Sequence, residues 1–439
     1  MFSQFLKQCQ VRRQTLTEHL LPNSICIISA AQLVTRSNDT EYPFRQNSDF
    51  HYLTGFPEPE AVLILSNSTQ FDKAYAALFC QPKDALAEIW QGRRIGPDVA
   101  MQQFGFDQCH VIDDLDVGLV SYLDGHDNLY FARGENADID HHIDEALNVL
   151  RNAPKQSKIA PACQIDVREI LHEMRLFKST DELDLIRAAA SISCEAHKAA
   201  MTYSKAGRNE YHLAAQIHHS FAMQSARNSA YETIVGSGTN ACILHYTENN
   251  SELVDGDLVL IDAGAEYHGY AADITRTFPV NGRFSDAQAQ LYELVLASQT
   301  QALAHFKPGG NFAAANATAI EVLTAGLIRL GLLSGDVQTN IDEQQHRQFF
   351  MHGLGHWLGL DVHDVGKYKM NGQDRPFEPG MVMTIEPGLY ISSEADVDPK
   401  WRGIGIRIED NILITEQGHE VLTQGVPKTI AQIESLMAG

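Results

Sequence analysis

The chain has no hydrophobic run long enough to cross a membrane, although it contains 439 residues. Its apolar stretches, such as those at 61–65 and 258–261, have the length of a strand and soon meet a charge. The N-terminal segment has no sustained apolar stretch before Arg12 and Arg13, so it does not resemble a secretory signal. We therefore expect no membrane partner and, by default, a cytoplasmic location.

Cysteine is sparse and unpatterned. The seven cysteines are odd in number, and no two of them form a Cys-x-x-Cys motif. Such a distribution favours reduced thiols over a disulfide framework or a zinc knuckle. We interpret all of them as structural: Cys9, Cys26, Cys80, Cys109, Cys163, Cys194 and Cys242.

Positive charge is scarce as well. The chain has 33 lysines and arginines against 56 aspartates and glutamates, which gives a formal net charge of −23. A surface of this sign repels a phosphate backbone, so we expect no nucleic-acid partner. A site for hard cations concentrates carboxylates in one place, and this directs attention to clustered acids.

The length exceeds what one hydrophobic core normally supports, so two domains are expected. Residues 1–174 alternate short apolar segments, such as 25–29 and 61–66, with helix-compatible stretches, which predicts a smaller α/β domain. Ser179 and Glu182 then form a capping-box pattern that opens a long helix. From 175 to 439, helical segments alternate with strand-like ones at 257–263, 271–280, 381–386 and 403–414. This second domain is predicted to be α+β with an antiparallel sheet.

Two aspartates flank a predicted hairpin. Asp262 ends an apolar run, and Asp273 follows across a turn. A hairpin centred between Tyr267 and His268 would place the two aspartates directly opposite each other, with Cβ atoms roughly 5 Å apart. Like charges so close are destabilising unless a cation lies between them. A single aspartate here could simply end a strand, whereas a facing pair indicates a metal site.

Further candidate ligands follow in the second half. Glu386 and Glu409 each end a strand-like segment that is apolar on one face, so both are expected in a semi-buried site. The stretch 351–364 contains three histidines among glycines, as close approach of backbone to a ligand would require. His352 and His356 have the spacing of a zinc-protease helix, but the glycines and the missing glutamate exclude that class.

Five motifs carry a resemblance to a known superfamily. In chain order they are Ile261-Asp262-Ala263-Gly264, Asp273-Ile274-Thr275-Arg276-Thr277, His352-Gly353-x-Gly355-His356, Glu386-Pro387-Gly388 and Ile408-Glu409-Asp410. They closely resemble those of the creatinase, prolidase and methionine aminopeptidase superfamily, the pita-bread metallopeptidases. In the first domain, segments 42–50 and 52–56 resemble those of the aminopeptidase P (Xaa-Pro aminopeptidase) family. The resemblance implies a C-terminal pita-bread catalytic domain preceded by a creatinase-like N-terminal domain.

This resemblance implies two divalent metal ions per subunit, with manganese as the first choice and zinc, cobalt or iron as alternatives. Asp262 would bind one ion, His356 and Glu386 would bind the other, and Asp273 and Glu409 would bridge both. Four carboxylates and two divalent ions leave the centre neutral, and a mostly oxygen donor set with one imidazole suits manganese.

The resemblance also implies a reaction. A hydroxide between the two ions would attack the scissile carbonyl, and Glu386 would relay its proton to the leaving nitrogen. His363 and His245 would donate hydrogen bonds to the substrate. The side chains expected to line a pocket for proline are His352, Tyr390 and Arg407. The implied substrates are peptides with proline at the second position, whose X–Pro bond has no N–H for ordinary peptidases to hold.

Three alternatives remain open. A prolidase shares both domains and the metal centre but is restricted to Xaa-Pro dipeptides. A non-catalytic peptide-binding or chaperone module could use the same fold, although such proteins typically lose metal ligands and this chain keeps all five. A nucleotide-binding enzyme would rest on the G-x-G-x-x-A match at 236–241, for which no surrounding βαβ unit is apparent.

The family also implies a homo-oligomer, a tetramer with a dimer as the alternative. The N-terminal domain of a neighbouring subunit would approach the site and cap it. The residues of this chain that correspond to the family's capping residues are Asp39, Trp90 and Arg375. Lys155 stands where an arginine is expected, and it lacks the bidentate geometry of arginine. Segment 367–371 carries extra residues that blur the alignment of Arg375. Both departures from the family pattern concern the preferred peptide length and the capping of the site by a neighbouring subunit.

Overall fold

The computed structural model describes residues 2–69 and 75–439. The chain divides into two compact units, Met1–Met174 and Arg175–Gly439. The α-helices, in chain order, are α1 (Phe2–His19), α2 (Ser48–Thr54), α3 (Ala85–Gln91), α4 (Pro97–Phe104), α5 (Leu115–Leu123), α6 (Ala137–Arg151), α7 (Arg168–Leu176), α8 (Thr180–Tyr203), α9 (Glu210–Met223), α10 (Asp286–Ala302), α11 (Phe312–Arg329), α12 (Val337–Asp342) and α13 (Ile430–Met437).

The strands, in chain order, are β1 (Ser24–Ser29), β2 (Thr35–Ser37), β3 (Thr40–Glu41), β4 (Val62–Ser66), β5 (Tyr75–Cys80), β6 (Gln108–Val111), β7 (Asn128–Tyr130), β8 (Cys163–Ile165), β9 (Asn228–Ser229), β10 (Ile234–Ser237), β11 (Leu258–Asp262), β12 (Ala265–Tyr267), β13 (Tyr270–Ala271), β14 (Thr275–Pro279), β15 (Lys369–Met370), β16 (Gln373–Asp374), β17 (Val382–Ile385), β18 (Gly388–Ile391), β19 (Ile404–Arg407), β20 (Asp410–Thr415) and β21 (Gly418–Val421).

The first unit is built on a six-stranded mixed sheet, which within the described residues has the order β6-β5-β4-β1-β7-β8. Strand β1 pairs antiparallel with β4 and parallel with β7. Strand β4 is an apolar run that is buried along its whole length, as central strands covered on both faces usually are. Side chains of these strands pack against α5 and α6 to form the core of the unit. The predicted α/β character of this unit is confirmed.

The second unit combines helices with antiparallel strands. Each strand pairing described in it is antiparallel, including the ladders β10-β11-β14 and β17-β20-β21. The main core of the unit lies between the ladder β10-β11-β14, the β18-β19 pair and helices α8 to α11. Side chains of β17 and β20 belong to a second core cluster. The predicted α+β class with antiparallel pairing is therefore confirmed. Because β10 pairs antiparallel with β11, the glycine motif that begins in β10 does not belong to a βαβ unit.

Helix α8 begins at the predicted capping box. The Ser179 amide donates a hydrogen bond to Oε2 of Glu182 at 2.9 Å, and the Ser179 hydroxyl donates to the same oxygen at 2.8 Å. These bonds satisfy groups that the first helical turn would otherwise leave without partners. The local sequence thus fixes where this helix starts.

The hairpin around residue 268 turns one residue later than predicted. His268 and Gly269 have φ values of 50° and 88°, the conformation that a two-residue hairpin turn of type I′ requires at both positions. Tyr267 consequently pairs with Tyr270. The predicted centre between residues 267 and 268 is wrong because nothing in the local pattern marks histidine as the first left-handed residue.

Two further features concern the whole described chain. None of its helices combines the length and the apolar character that a membrane crossing needs. The seven cysteines are free thiols.

Candidate metal centre

A cavity of about 260 Å³ in the second unit brings together nine of the predicted site residues. It is lined by all five predicted metal ligands and by four further predicted residues. The complete lining consists of Leu244, His245, Asp262, Asp273, His352, Gly353, Gly355, His356, His363, Glu386, Arg407 and Glu409.

The acids reach this cavity from the ends of strands. Asp262 is the last residue of β11, and Asp273 lies two residues before β14. Glu386 directly follows β17, and Glu409 lies between β19 and β20. These acids come from segments that are far apart in sequence, and all four line the same cavity.

The predicted pairing of Asp262 with Asp273 is wrong. Asp262 pairs with Thr275, because the later turn shifts the register by two residues. Asp273 lies outside the ladder, beside Gly264, where a Cβ would lie 1.7 Å from the carbonyl oxygen of Ala272. Such close approach is possible only for glycine, and it lets the chain turn the carboxylate toward Asp262.

Tyr231 joins these two aspartates. Its hydroxyl oxygen lies 2.6 Å from Oδ1 of Asp262 and 2.6 Å from Oδ1 of Asp273. A hydroxyl has one hydrogen, so it can donate to one of these carboxylates at a time. Burial and the two carboxylates raise the pKa of Tyr231 well above its ordinary value, so the phenol keeps its proton. The sequence offered no signal for Tyr231, which follows no strand-end pattern.

His356 presents one ring nitrogen to the acids. Its Nδ1 lies 2.9 Å from the carbonyl oxygen of Trp357, where it donates a hydrogen bond. Its Nε2 lies 3.3 Å from Oδ2 of Asp273 and 3.6 Å from Oε1 of Glu386. A carbonyl partner for the second ring nitrogen is the arrangement that orients metal-binding histidines. His356 thus has the orientation of a ligand, with Nε2 directed at the acids.

The segment before His356 contains a close backbone contact. A Cβ on Gly355 would lie 2.2 Å from the carbonyl oxygen of Thr384 in β17. The His356 amide also donates to the Thr384 hydroxyl at 2.9 Å. The close approach predicted from the glycines is thus made to a neighbouring strand. Residues 352–356 are not helical, in agreement with the exclusion of a zinc-protease helix.

The charges in the cavity fit a bound cation. Burial and neighbouring carboxylates raise the pKa of Asp273 and, more strongly, of Glu409. Burial raises the pKa of Glu386 to about 7. Burial opposes protonation of His356, but Asp273 and Glu386 outweigh it and raise its pKa to about 9. The acids therefore repel one another, and a divalent cation among them would relieve this repulsion.

The distances agree with that interpretation. Ligand atoms of Asp273, His356 and Glu409 all lie within 4.8 Å of one another. Glu409 also accepts a hydrogen bond from the Thr275 hydroxyl at 2.7 Å, which orients its carboxylate. A compact set of carboxylate oxygens with one imidazole is a donor set for divalent cations such as manganese or zinc.

Arg407 and His352 line the cavity, and the predicted pocket residue Tyr390, which is not among the lining residues, connects the two by hydrogen bonds. An amino group of Arg407 lies 2.5 Å from Oδ2 of Asp262, and the other donates to the Tyr390 hydroxyl at 3.1 Å. Burial and Arg407 lower the pKa of His352 to about 4, so its ring is neutral near pH 7. Its Nδ1 donates to the Gly353 carbonyl, and its Nε2 therefore accepts from Tyr390.

The remaining two histidines are more open. His245 and His363 are both exposed at the cavity mouth. The ring centroid of His363 lies 4.0 Å from that of His356. Burial and the neighbouring His356 lower the pKa of His363. A neutral imidazole at this position has one N–H group available for donation.

The predicted capping residues lie elsewhere. Asp39 lies in the exposed turn between β2 and β3, and Trp90 on α3 is 88% exposed. Arg375 is buried, and its amide donates to the carbonyl oxygen of Tyr368. Lys155 lies in a short exposed turn, and segment 367–371 contains β15 of an exposed two-stranded hairpin.

Comparison with known proteins places these observations in a family. The model of metallopeptidase family M24 matches residues 184–416, and the model of the aminopeptidase P N-terminal domain matches residues 9–130. The chain is 51% identical over 433 residues to Xaa-Pro aminopeptidase of Escherichia coli (strain K12), covering 98% of this chain and 97% of that protein. It is 46% identical to Xaa-Pro aminopeptidase of Haemophilus influenzae, covering 98% and 97%.

Solved structures agree. Zinc-substituted Escherichia coli aminopeptidase P in complex with product superposes with a TM-score of 0.96 at 50% identity, over 99% of this chain and 98% of that one. Proline aminopeptidase P II from Yersinia pestis gives the same TM-score and identity, over 99% of both chains. The expected fold, a pita-bread domain preceded by a smaller N-terminal domain, is confirmed.

Proposed function

The chain belongs to metallopeptidase family M24, and we propose that it removes the N-terminal residue from peptides whose second residue is proline. The main support for the proposal is the cluster of Asp273, Glu409 and His356. This cluster lies in a chain that is 51% identical to an Xaa-Pro aminopeptidase. The N-terminal match further supports this branch of the family.

The proposal assigns two divalent ions, manganese first, to the five cavity residues Asp262, Asp273, His356, Glu386 and Glu409. Their four carboxylates balance two divalent charges, and the oxygen-rich donor set suits manganese. When bound, such ions supply an acidified water and an electrophile for the scissile carbonyl.

Glu386 is the proposed proton carrier. Its carboxylate lines the cavity, with Oε1 3.6 Å from Nε2 of His356, where it can accept and release a proton during the reaction. It would pass a proton to the nitrogen of proline as the peptide bond breaks. His363 and His245, at the cavity mouth, would donate hydrogen bonds to the substrate carbonyl. These roles are also the ones that the family resemblance implies.

Arg407, Tyr390 and His352 would form the pocket for proline. Arg407 orients the Tyr390 hydroxyl, and this hydroxyl donates to His352. Because both ring nitrogens of His352 are engaged within the protein, its contribution to substrate binding is the apolar surface of the ring. Such a surface suits a pyrrolidine ring, which has no N–H group to recognise.

Two rival functions fit less well. A prolidase binds the free carboxylate of a dipeptide, which needs a cationic partner. Among the described residues that line the cavity, Arg407 is the one lysine or arginine, and Asp262 already engages it. A non-catalytic peptide-binding module is disfavoured because all five predicted ligands line one cavity.

We further propose a homo-oligomer, a tetramer by family resemblance, in which Trp90 and Asp39 of one subunit approach the site of another. The exposed apolar side chains of α3, Leu86, Ile89 and Trp90, support such an interface. A cytoplasmic location is part of the same proposal. The buried position of Arg375 suits support of the site from within its own subunit better than capping.

The test is hydrolysis of proline substrates of graded length. Protein stripped of metal and restored with manganese, zinc or cobalt is assayed on an Xaa-Pro dipeptide, an Xaa-Pro-Xaa tripeptide and a longer peptide. An Xaa-Ala-Xaa tripeptide serves as the matched control. We expect cleavage of the tripeptide and the longer peptide, with release of the first residue. Cleavage of the dipeptide alone would establish the prolidase instead, and no cleavage with any metal would refute the enzyme.

A further inference from the structure

The loop that carries His245 has little regular structure of its own. It runs from the end of β10 at Ser237 to Ser251, with one short 3₁₀ turn at Gly238–Cys242. Leu244 and His245 reach the cavity from its middle. An exposed histidine in such a loop can donate a hydrogen bond in a fixed direction only if something holds the loop.

Glu210 is the residue that holds this loop. It is the first residue of α9, and its side chain is completely buried. Its carboxylate accepts five hydrogen bonds, and every donor belongs to the loop. Oε1 accepts from the Ser237 amide at 2.7 Å, the Ser237 hydroxyl at 2.8 Å and Nδ2 of Asn240 at 3.1 Å; Oε2 accepts from the Tyr246 hydroxyl and the Ser251 amide, both at 2.9 Å.

The two oxygens hold opposite ends of the loop. Oε1 binds its beginning, and Oε2 binds Ser251 at its end and Tyr246, the residue directly after His245. Asn240 links the two sides of the loop, since its Nδ2 also lies 3.0 Å from the Tyr246 hydroxyl. The backbone adds one more bond, from the Glu210 amide to the Ser251 carbonyl at 2.9 Å.

The five donors to Glu210 are all neutral amide or hydroxyl groups. Within the described part of the chain, no lysine, arginine or histidine forms an ion pair with Glu210. A buried carboxylate with five donors makes directional bonds, and each donor is held because leaving any of these bonds unmade in the interior is costly. No local pattern indicates this role, because the donors become neighbours only when the loop folds over the start of α9.

We propose that Glu210 is a positioning residue that fixes the direction in which His245 faces the substrate. The inference rests on the proposed function, since contact of His245 with the substrate belongs to it. Glu210 itself does not line the cavity. Its effect on the reaction passes through the loop.

The central experiment is a double-mutant cycle on the metal-loaded enzyme with an Xaa-Pro-Xaa tripeptide. Glu210→Gln keeps the shape of the side chain but turns an amide toward groups that are themselves donors. A displacement of His245 by even an ångström would lower kcat/KM roughly 10- to 100-fold. In a His245→Ala background the same substitution should change kcat/KM less than about twofold, because the group that it positions is already absent.

Two further variants separate positioning from folding. Tyr246→Phe removes one donor with little change in shape, and we expect a smaller loss of kcat/KM that likewise disappears in the His245→Ala background. Glu182→Gln is the matched control, because Glu182 is also buried and accepts from the Ser179 amide and the Tyr270 hydroxyl. We expect it to lower thermal stability while leaving kcat/KM within about twofold of wild type.

Hydrogen exchange supplies a readout that needs no metal. The Ser237 and Ser251 amides should exchange faster in Glu210→Gln than in the Glu182→Gln control. Equal losses of kcat/KM from Glu210→Gln with and without His245 would overturn the inference, as would unchanged exchange at both amides. If the wild-type enzyme cleaved no Xaa-Pro peptide at all, the proposed function would fail, while the exchange result would still decide whether Glu210 holds the loop.

Discussion

The guanidinium of Arg407 lies 2.5 Å from the carboxylate of Asp262, a proposed metal ligand, inside the second unit. Its Nε donates to the Thr275 hydroxyl at 3.0 Å, and its other amino group donates to Tyr390. One planar cation thus orients a ligand and a pocket residue together.

Arg407→Lys should therefore impair the enzyme although the charge is kept. A lysine ammonium cannot reproduce the planar, three-sided set of bonds. We expect kcat/KM for an Xaa-Pro-Xaa tripeptide to fall at least roughly tenfold, which corresponds to about 1.4 kcal/mol of lost transition-state stabilisation. Arg402→Lys, at an exposed arginine near the same strand, is the control and should retain activity. Full activity of Arg407→Lys would argue against the shared role.

Glu386→Gln tests the proton carrier. An amide cannot accept a proton as a carboxylate does, so kcat should fall roughly 10²- to 10⁴-fold. Circular dichroism should show an unchanged fold. Glu394→Gln, at an exposed glutamate, should behave as wild type. Activity within tenfold of wild type in Glu386→Gln would remove this residue from the proposed mechanism.

Divalent cations should stabilise the folded protein. Binding to the folded state alone contributes about 2.7 kcal/mol when the free ion is a hundredfold above its Kd. We expect a chelator to lower the thermal midpoint, and added manganese to restore it. In Glu409→Gln the metal-free midpoint should rise, because a buried carboxylate that is repelled by its neighbours has been removed, and the response to manganese should shrink. A metal-free Glu409→Gln that is less stable than metal-free wild type would contradict the electrostatic argument.

Asp364 should stabilise the protein in a pH-dependent way. Burial alone would raise the pKa of Asp364, but Lys178 and Arg175 outweigh burial, and the pKa lies below its ordinary value. The ion pairs are buried, with Asp364 2.9 Å from Lys178 and 2.5 Å from Arg175. Because the folded pKa is the lower one, this stability is fully present above about pH 4 and is lost as pH falls through the folded pKa.

Asp364→Asn should therefore lower the free energy of unfolding by about 3–5 kcal/mol at pH 7, since it leaves buried cations without their charge partner. The difference from wild type should shrink in urea titrations below about pH 4. Asp361→Asn, at the 37% exposed partner of the same Arg175, is the control and should cost less than about 1 kcal/mol. A difference that is independent of pH would show that the charge on Asp364 is not the cause.

Trp90→Glu tests the proposed assembly. Trp90 is 88% exposed, and a charge at the centre of an apolar interface opposes association. Light scattering should show a smaller particle, and activity should fall with dissociation. Met223→Glu, at a 72% exposed methionine on α9, is the matched control and should leave the mass unchanged. An unchanged mass for Trp90→Glu would exclude α3 from the interface.

Much of the fold followed from local patterns. The alternation of strand-like and helical segments predicted antiparallel pairing in the second unit, and Ser179 with Glu182 predicted the start of α8. Local signals act over a few residues, where the backbone conformation itself brings the partners together. The hairpin register was predicted wrongly because it depends on two residues in the left-handed conformation, His268 and Gly269. A histidine in the sequence does not indicate this conformation.

The chemical types present at the centre follow from local sequence: acids at strand ends and one histidine among glycines. Tertiary structure alone decided which atoms meet. Asp262 and Arg407 are 145 residues apart, and Tyr231 and Glu210 act on partners that no local spacing indicates. Periodicity specifies the face on which a side chain lies, whereas the partner across a cavity depends on how distant strands and loops pack, and that is settled only when the whole unit folds.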